Sequence, residues 1–389
     1  MENRFDKIIN RVGTNSSKFD TIQKIYNISP LNSLSMWTAD MDFKSPECVN
    51  KDLKKMISHG IYGYYGDYSS YERSVINWYE TKHNWTIKNN WISVTHGLVA
   101  ALGIIIRAFS NKGDKIIVFS PVYHSFSNMI LNNNREILES ELILKNNKYE
   151  IDLDRLQKNM CGKEKIMFFC SPHNPGGRVW KKSELLNIAK FCEKNNLILV
   201  SDEIHNDLVF PNNKHLMFPV AVPEINHRLI TLVSSTKTFN LAGGLMGNVI
   251  ISDNKLRQRF KKAHKATGTT PNAFGMKISE SAYNGGNNWL LELLKYLEEN
   301  KKIFNEEMKK INGLKSMDLQ STYLAWVDFS NLKISENEII KRVHQKAKIA
   351  ANIGSTFGKG GEKFMRFNLA CPRPIVYEAI KRLKNEFKN

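Results

Sequence analysis

The chain has 389 residues, 42% hydrophobic and 24% charged, which is typical of a globular protein with room for two domains and a large core. Its most apolar run, residues 98–106, is cut by Arg107 and is too short to span a membrane, so we expect no membrane partner. The formal net charge is +18, but the lysines are spread along the chain among asparagines and no basic helix is apparent, so we predict no nucleic-acid partner.

Targeting and redox signals point to the cytoplasm. The first residues contain no hydrophobic segment of the signal-peptide type. The chain has five scattered cysteines and no C-x-x-C motif, which predicts free thiols and neither a disulfide framework nor a metal site.

The first part of the chain is irregular. Residues 1–35 mix polar and apolar side chains and are interpreted as an arm. Ser45 as N-cap and Pro46 at the first helical position predict a helix that runs to about residue 58. The glycine- and tyrosine-rich segment 61–66 predicts either a loop that presents tyrosines or a packed turn.

Short apolar strands then alternate with helices. The predicted strands are residues 91–95, 115–119, 165–170, 197–201, 229–233 and 247–251, and the predicted helices include residues 69–84, 98–109 and 183–195. This alternation predicts an α/β fold, with a mostly parallel sheet covered by helices on both faces.

The last third of the chain predicts a smaller α+β domain. It is helical over residues 256–312, with one long helix at 290–311, and then has predicted strands at 323–329 and 364–370, a helix at 336–346, and a final helix from Pro374. The expected domains are residues 1–45 as an N-terminal arm and part of the small domain, 46–288 as the large domain, and 289–389 as the small C-terminal domain.

Candidate functional residues follow the predicted strands. Gly97, Tyr123, Asn174, Asp202 and Lys237 all stand at carboxyl ends of strands, where open α/β sheets bind their ligands. The backbone amides of Gly97, Leu98 and Val99 begin a helix, so they predict an anion site.

Lys237 is the candidate for covalent chemistry. It follows an apolar strand and is surrounded by small hydroxyl residues. A desolvated lysine has a lowered pKa and becomes a nucleophile and a base. Lys237 is therefore a candidate to form a Schiff base with pyridoxal phosphate (PLP), against the alternative of an ordinary solvated lysine.

Seven motifs carry a resemblance to a known family. They are Trp37-Thr38-Ala39-Asp40-Met41-Asp42-Phe43, Gly63-Tyr64, Pro121-Val122-Tyr123, Pro172-His173-Asn174-Pro175-x-Gly177-Arg178, Ser201-Asp202-Glu203-Ile204-His205-x-Asp207-Leu208, Lys237-Thr238-Phe239-Asn240 and Gly360-Gly361-Glu362-x-Phe364-Met365-Arg366-x-Asn368. The chain resembles the fold-type I PLP enzymes of the aspartate aminotransferase superfamily. It is most similar to the MalY/PatB branch of cystathionine β-lyases and cysteine C–S lyases.

The resemblance implies roles for individual residues around PLP. Asp202 would pair with the pyridine nitrogen, Asn174 would donate to O3′, Tyr123 would stack on the ring, and His205 would give hydrogen-bond support rather than bind a metal. The amides of residues 97–99, with Ser234 and Thr236, hold the phosphate.

Further roles concern the substrate and a second subunit. The resemblance implies that Arg366 binds the substrate carboxylate and that Trp37 and Asp40 line the substrate side. By the same resemblance, Tyr64 would reach the phosphate of the neighbouring subunit's cofactor, which implies a homodimer with shared active sites.

The implied reaction is α,β-elimination of L-cystathionine, L-cysteine or a related cysteine S-conjugate to pyruvate, ammonia and a thiol. An aminotransferase on the same scaffold is the main alternative, and a non-catalytic binding protein or regulator is a further one. Thr236 replaces the usual serine but keeps the hydroxyl, and Leu245 stands where many aminotransferases carry a cation that the lyase branch also tends to lack. Gly244 and Leu245 near the phosphate, with His124-Ser125 after Tyr123, leave the substrate preference open.

Overall fold

Fifteen strands carry the fold in the computed structural model, which describes residues 3–387. Met1, Glu2, Lys388 and Asn389, which belong to the predicted arm and small domain, lie outside the described residues. The strands are β1 (Leu34–Ser35), β2 (Ile92–Thr95), β3 (Lys115–Ser120), β4 (Glu136–Glu141), β5 (Ile143–Lys145), β6 (Lys148–Glu150), β7 (Glu164–Cys170), β8 (Ile198–Asp202), β9 (Leu229–Val233), β10 (Gly247–Ile250), β11 (Lys315–Ser316), β12 (Leu324–Asp328), β13 (Ile349–Ala350), β14 (Asn352–Ile353) and β15 (Phe364–Asn368).

Helices fill most of the chain between these strands. The α-helices are α1 (Ser17–Asp20), α2 (Ile22–Tyr26), α3 (Glu47–His59), α4 (Ser69–His83), α5 (Leu98–Phe109), α6 (Ser125–Asn132), α7 (Leu153–Asn159), α8 (Lys182–Lys194), α9 (Phe218–Ala221), α10 (Ser235–Thr238), α11 (Asn254–Lys265), α12 (Ala273–Gly285), α13 (Asn287–Met308), α14 (Glu336–Ile340) and α15 (Arg373–Glu386). Short 3₁₀ turns cover Pro30–Asn32, Asn89–Trp91, Pro223–Arg228, Ala242–Gly244, Ser330–Leu332 and Gly354–Phe357, and a π-helical turn covers Lys341–Lys346.

The central sheet has seven strands in the order β2-β10-β9-β8-β7-β3-β4. The pairs β3–β4, β3–β7, β7–β8 and β8–β9 are parallel, whereas β10 is antiparallel to both of its neighbours. The predicted α/β class with a mostly parallel sheet is therefore confirmed. The reversed direction of β10 was not among the features predicted from the sequence.

The inner strands of the sheet are buried on both faces because most of their residues are apolar, whereas the edge strand β4 is only partly buried. In β7, Phe168 packs into the apolar cluster formed with α5, α6 and α11. Its neighbour Phe169 points to the other face, where α8 and α9 pack. This alternation is the period of a β-strand, and it explains why the strands appear as continuous hydrophobic runs in the sequence.

A second, antiparallel sheet has the order β11-β12-β15-β14. In its register Arg366 on β15 lies between Trp326 on β12 and Asn352 on β14. The N-terminal strand β1 pairs in parallel with β13. Residues 34–35 thus join the C-terminal part of the chain. The domain boundaries given above stay a prediction.

Two local predictions need correction. The helix predicted to begin at Ser45 is α3, which begins at Glu47 after Pro46 as the N-cap residue, and the Ser45 hydroxyl donates instead to the carbonyl of Asn240, 3.0 Å away. The prediction that the chain has no basic helix is also wrong, because α11 carries six lysines and arginines and no acidic residue. The absence of a nucleic-acid partner stays a prediction.

Within residues 3–387, no helix combines the length and apolar character needed to span a membrane. The same described range contains no group of three or more His, Cys, Asp or Glu side chains arranged to hold a metal ion.

Gly177 ties the loop after β7 to the segment that precedes β12. Its carbonyl accepts hydrogen bonds from the amides of Gln320 and Ser321, both at 2.9 Å. Its φ is +61°, and a Cβ atom there would meet the side chain of Leu319 and lie 3.1 Å from the carbonyl oxygen of Ser321. Only glycine fits this position without strain.

We expect Gly177→Ala to destabilise the fold by about 2–5 kcal/mol, because backbone strain and overpacking add. Gly113→Ala is the matched control, since Gly113 has φ +82° but nothing within 4 Å of the added carbon. It should lose only about 1–2 kcal/mol. If urea unfolding gave the same loss in free energy of unfolding for the two variants, the close contacts at Gly177 would make no energetic contribution.

Candidate active site

A cavity of about 390 Å³ opens at the carboxyl edge of the central sheet. The residues that line it are Ser17, Trp37, Thr38, Ala39, His96, Gly97, Leu98, Val99, Leu102, Tyr123, His124, Cys170, Asn174, Asp202, Ile204, His205, Thr236, Lys237, Ala242, Leu245, Met246, Asn352 and Arg366. One wall is thus the edge of the large sheet, and the facing wall is β14, β15 and the segment around Trp37.

Lys237 lies on the short helix α10, directly after β9. Ser234 is the N-cap of this helix: its hydroxyl accepts from the amide of Thr236 at 3.1 Å and donates to the carbonyl of Met246 at 2.7 Å. The Lys237 amine donates to the carbonyl of Ala39 at 2.6 Å. The turn that carries the lysine is therefore fixed at its first residue, and the amine points across the cavity.

Burial makes Lys237 a better nucleophile than an ordinary lysine. It lowers the pKa of the amine from 10.5 to about 8, although the negative charge of Asp40 opposes the shift. The positive charge of Arg366 adds to the lowering, and Asp202 again opposes it. A neutral amine is consequently accessible near physiological pH.

We expect the reactivity of Lys237 in the cofactor-free protein to rise with pH, with its midpoint near pH 8, and to level off about one unit higher. The reason is that only the neutral amine reacts with an acylating reagent, and its fraction grows as pH rises through the pKa. The measurement is the rate of acetylation by acetic anhydride between pH 6 and 10, read by mass spectrometry of the Lys237 peptide. Peptides with exposed lysines from the same digest are the control, and an identical midpoint for both would contradict the expectation.

Asp202 is the last residue of β8, in register with Cys170 and Leu232. It is 7% exposed, and its Oδ1 accepts from the amide of Ile204 at 3.2 Å. Burial raises its pKa to about 6. At neutral pH this carboxylate is a buried negative charge at the floor of the cavity, available to a cationic group of a ligand.

Arg366 is a buried cation whose hydrogen-bond partners are all neutral. It is 3% exposed and donates to Asn174 Oδ1 at 2.8 Å, to Asn352 Oδ1 at 2.7 Å and to the carbonyl of Trp37 at 3.0 Å. Its Nε has no partner among the described residues, and no carboxylate there lies within salt-bridge distance. Burial lowers its pKa to about 10. Such a site is suited to an anionic ligand group.

Helix α5 begins at the cavity, but only part of the predicted amide cradle is free. The amide of Gly97 donates to the carbonyl of Thr95 at 2.9 Å, so it is not available to an anion. Leu98 and Val99 are the first two helical residues, whose amides have no intrahelical acceptor. These two amides, together with the helix dipole, can hold a phosphate at the α5 terminus.

Tyr123 and His205 both line the cavity, where the sequence analysis placed them beside the cofactor. His205 is 2% exposed, and its Nδ1 has no partner among the described residues. Burial and the nearby Lys237 lower its pKa to about 3, which keeps the imidazole neutral. It is therefore suited to a hydrogen bond with a bound group rather than to a charge.

Three predicted residues do not line the cavity. The hydroxyl of Ser234 caps α10 by accepting from the amide of Thr236, and Ser234 does not line the cavity, whereas Thr236 does. The Asp40 carboxylate binds Arg11, with Nη2–Oδ2 at 2.9 Å, and is not among the residues that line the cavity, so its place on the substrate side stays a prediction. Tyr64 is fully exposed and lies outside the cavity of its own chain.

Sequence reasoning missed Asn352 and the backbone of Ala39. Asn352 lies on the two-residue strand β14, which is too short to leave a periodic signal. The Ala39 carbonyl is a backbone group, so no side-chain pattern could identify it. His96 and His124 also line the cavity; His124 had drawn notice only as a departure from the family.

A model of the aminotransferase class I and II family matches residues 34–383, which is most of the chain. The chain belongs to the aminotransferase class I and II family. The expected membership of this superfamily is therefore confirmed.

The relatives in this family cover the whole chain. Cystathionine β-lyase PatB of Bacillus subtilis is 34% identical over 98% of this chain and 98% of its own length. Protein MalY of Escherichia coli is 28% identical over 99% of this chain and 98% of its own length. Cystalysin from Treponema denticola, which contains a pyridoxal 5′-phosphate cofactor, is 35% identical with a TM-score of 0.95, covering 100% of this chain and 99% of that chain.

The residues around the cavity fit PLP. The cofactor's aldehyde needs a reactive amine, its pyridine nitrogen a carboxylate, and its phosphate free amides. Lys237, Asp202 and the amides of Leu98 and Val99 supply these groups in one cavity. The unpartnered Nδ1 of His205 and Nε of Arg366 show that the cavity leaves polar atoms for a ligand to satisfy.

Proposed function

We propose that this protein is a PLP-dependent carbon–sulfur β-lyase. Its substrates would be L-cystathionine, L-cysteine or a related cysteine S-conjugate, with pyruvate, ammonia and a thiol as products. The family, the relatives PatB and MalY, and the C–S lyase from Staphylococcus hominis, 29% identical with a TM-score of 0.92, support this assignment.

The observation that carries the proposal is Arg366. A buried guanidinium without a carboxylate partner lines the same cavity as a lysine of lowered pKa. Together they provide a binding point for the carboxylate of an amino acid and a base for the hydrogen on its α-carbon.

PLP, when bound, supplies an electron-accepting ring that stabilises negative charge on the substrate α-carbon. Asp202 would hold the pyridine nitrogen, and the amides of Leu98 and Val99 with Thr236 would hold the phosphate. Tyr123 would cover the ring face, and Asn174 and His205 would hydrogen-bond the polar atoms on the ring edge.

The remaining steps depend on protein groups. Arg366 holds the α-carboxylate and so fixes which bond at the α-carbon faces the lysine. Lys237 Nζ, as a neutral amine, takes the proton from the α-carbon, since its pKa near 8 matches the working pH of such a base. As the thiolate leaves from the β-carbon, a double bond forms between the α- and β-carbons, and one water then converts the remaining three-carbon unit to pyruvate and ammonia.

The test is incubation of the purified protein and PLP with L-cystathionine and, separately, with L-cysteine, without a keto-acid acceptor. We expect many turnovers of pyruvate and an absorption spectrum of the bound cofactor that returns to its starting form. An aminotransferase, favoured by the family description alone, would instead convert the cofactor once to its pyridoxamine form and stop. That outcome would overturn the lyase assignment.

A homodimer with shared active sites is part of the proposal. Tyr64 is fully exposed, and Ile57, Ile61 and Tyr62 near it are 62%, 73% and 60% exposed. Mixing Lys237→Ala and Tyr64→Phe chains tests the shared site, because one fully intact site would form in each mixed dimer. Activity in the mixture no higher than the sum of the separate variants would contradict sharing. The cytoplasmic location stays a prediction.

A further inference from the structure

Four charged side chains form a closed cluster beside the cavity that the proposed chemistry does not use. Arg11 contacts both carboxylates, with Nη2–Asp40 Oδ2 at 2.9 Å and Nη1–Asp42 Oδ1 at 2.7 Å. Lys18 also contacts both, with Nζ–Asp42 Oδ2 at 2.9 Å and Nζ–Asp40 Oδ1 at 3.6 Å. The two cations therefore neutralise the two carboxylates in a single network.

The cluster is unusually buried for a set of charges. The Lys18 side chain is 0% exposed, and those of Asp40 and Asp42 are 18% and 10% exposed. Fully buried lysines are rare, and a buried ion pair gains little stability over an apolar replacement of similar shape. The stability of the fold alone therefore does not explain why four charged residues are buried at this place.

The segment that the cluster holds contacts both functional side chains of the cavity, Lys237 and Arg366. Residues 37–42, which we call the acceptor turn, include the two carboxylates. The carbonyl of Trp37 accepts from Arg366 at 3.0 Å. The carbonyl of Ala39 accepts from Lys237 at 2.6 Å. A displacement of the acceptor turn would therefore move the acceptors of both side chains.

Lys18 binds the acceptor turn at a second point. Its own carbonyl accepts from the indole Nε1 of Trp37 at 2.9 Å, while its amine reaches Asp42 at the other end of the turn. Its neighbour Ser17 lines the cavity. The segment around Lys18 thus clamps both ends of the acceptor turn and closes this side of the site.

We infer that Arg11, Lys18 and Asp42 are positioning residues, which act by fixing the acceptor turn so that its carbonyls hold Lys237 and Arg366 in their working places. The inference rests on the proposed function only for its activity measurement. The placement of Lys237 can be followed in the cofactor-free protein.

The cluster also controls the charge near Lys237. Asp40 is the strongest of the charges that act on this amine, and Arg11 and Lys18 neutralise it. The other charged or titratable groups that act on or lie near Lys237 are Asp202, Arg366, His205 and Tyr323. Loss of either cation of the cluster leaves more negative charge beside the amine, which favours its protonated form.

The experiment compares Arg11→Met and Lys18→Met with Arg228→Met as the control. Arg228 also forms an ion pair, with Glu193 at 2.9 Å, but it precedes β9 and so lies at the edge of the sheet opposite the cavity. In the cofactor-free proteins, we expect the pH midpoint of Lys237 acetylation to move up by ~0.5 unit or more in both cluster variants and to stay unchanged in the control.

In the PLP-loaded proteins, we expect KM for the amino-acid substrate to rise and kcat/KM to fall ~10-fold or more in the cluster variants, since small misplacements of binding groups are costly. The control should keep the activity of the unchanged protein. Midpoints and KM values equal to those of the control would overturn the inference.

A double variant separates positioning from stability. Lys18→Met with Asp42→Asn removes an opposite pair of charges, so the melting temperature should recover relative to Lys18→Met. The raised KM should persist, because the amine no longer ties Asp42 to the segment around Lys18. Recovery of KM together with the melting temperature would mean that the cluster is merely structural, and it would overturn the inference.

The two proposals can fail separately. If the unchanged protein produces no pyruvate, the lyase assignment fails, yet the acetylation midpoints still decide the role of the cluster. If the unchanged protein is active while the cluster variants behave like Arg228→Met, only the positioning role fails.

Discussion

Lys237→Ala should reduce pyruvate formation by at least ~10³-fold, since it removes both the group that would bind the cofactor covalently and the base for the α-carbon hydrogen. The structure gives this residue its reactivity, because burial lowers the pKa of its amine to about 8. The measurement is pyruvate release from L-cystathionine and L-cysteine at saturating PLP, in parallel with the absorption spectrum of the bound cofactor.

Two controls distinguish lost chemistry from lost folding. Lys262→Ala removes an exposed lysine of α11 and should leave the rate unchanged. Ethylamine added to Lys237→Ala should restore a small part of the activity, because a free amine can enter the emptied position and act as the base. A Lys237→Ala variant that keeps more than a tenth of the activity would refute the assigned role.

Arg366→Met should lower kcat/KM by about 10²- to 10³-fold, mainly by raising KM, because the substrate carboxylate loses its charged partner. The melting temperature should change by only a few degrees. The buried guanidinium has neutral partners and carries a desolvation cost, which offsets the three hydrogen bonds that are lost.

Arg366→Lys is the matched variant for this prediction. It keeps a positive charge but loses the planar fork that can hold a carboxylate at two points, so its kcat/KM should fall between those of the unchanged protein and Arg366→Met. If Arg366→Met changed KM by less than threefold, the carboxylate would have to bind elsewhere in the cavity.

Much of the fold could be predicted because its strands are apolar on both faces. The run before Asp202 and the run before Lys237 are buried at nearly every position, so each appears in the sequence as a short hydrophobic block between polar turns. The carboxyl ends of such strands meet at one edge. For this reason the positions of Asn174, Asp202 and Lys237 after their strands were enough to predict that the three side chains lie close together.

Other features depend on contacts that no local pattern encodes. The direction of β10 is set by its pairing with β2 and β9, which are separated by more than a hundred residues. The true partners of Asp40 are Arg11 and Lys18, in a segment that looked like an irregular arm. Asn352 reaches Arg366 only because β14 pairs with β15.

The reversed strand β10 has a consequence for how the cleft can change width. The chain runs along β9 to the helix α10, which carries Lys237 at the cavity, and then returns along β10 from Gly247. The segment that carries the lysine is therefore joined at both ends to strands that hydrogen-bond to each other. Gly247 also packs closely on Gly97, where a Cβ would lie 2.9 Å from the Gly97 carbonyl carbon. The wall that carries the nucleophile is therefore held rigidly in place. A change in the width of the cleft would therefore have to move the opposite wall as one unit, Arg366 together with the acceptor turn, against the charge cluster that fixes that turn.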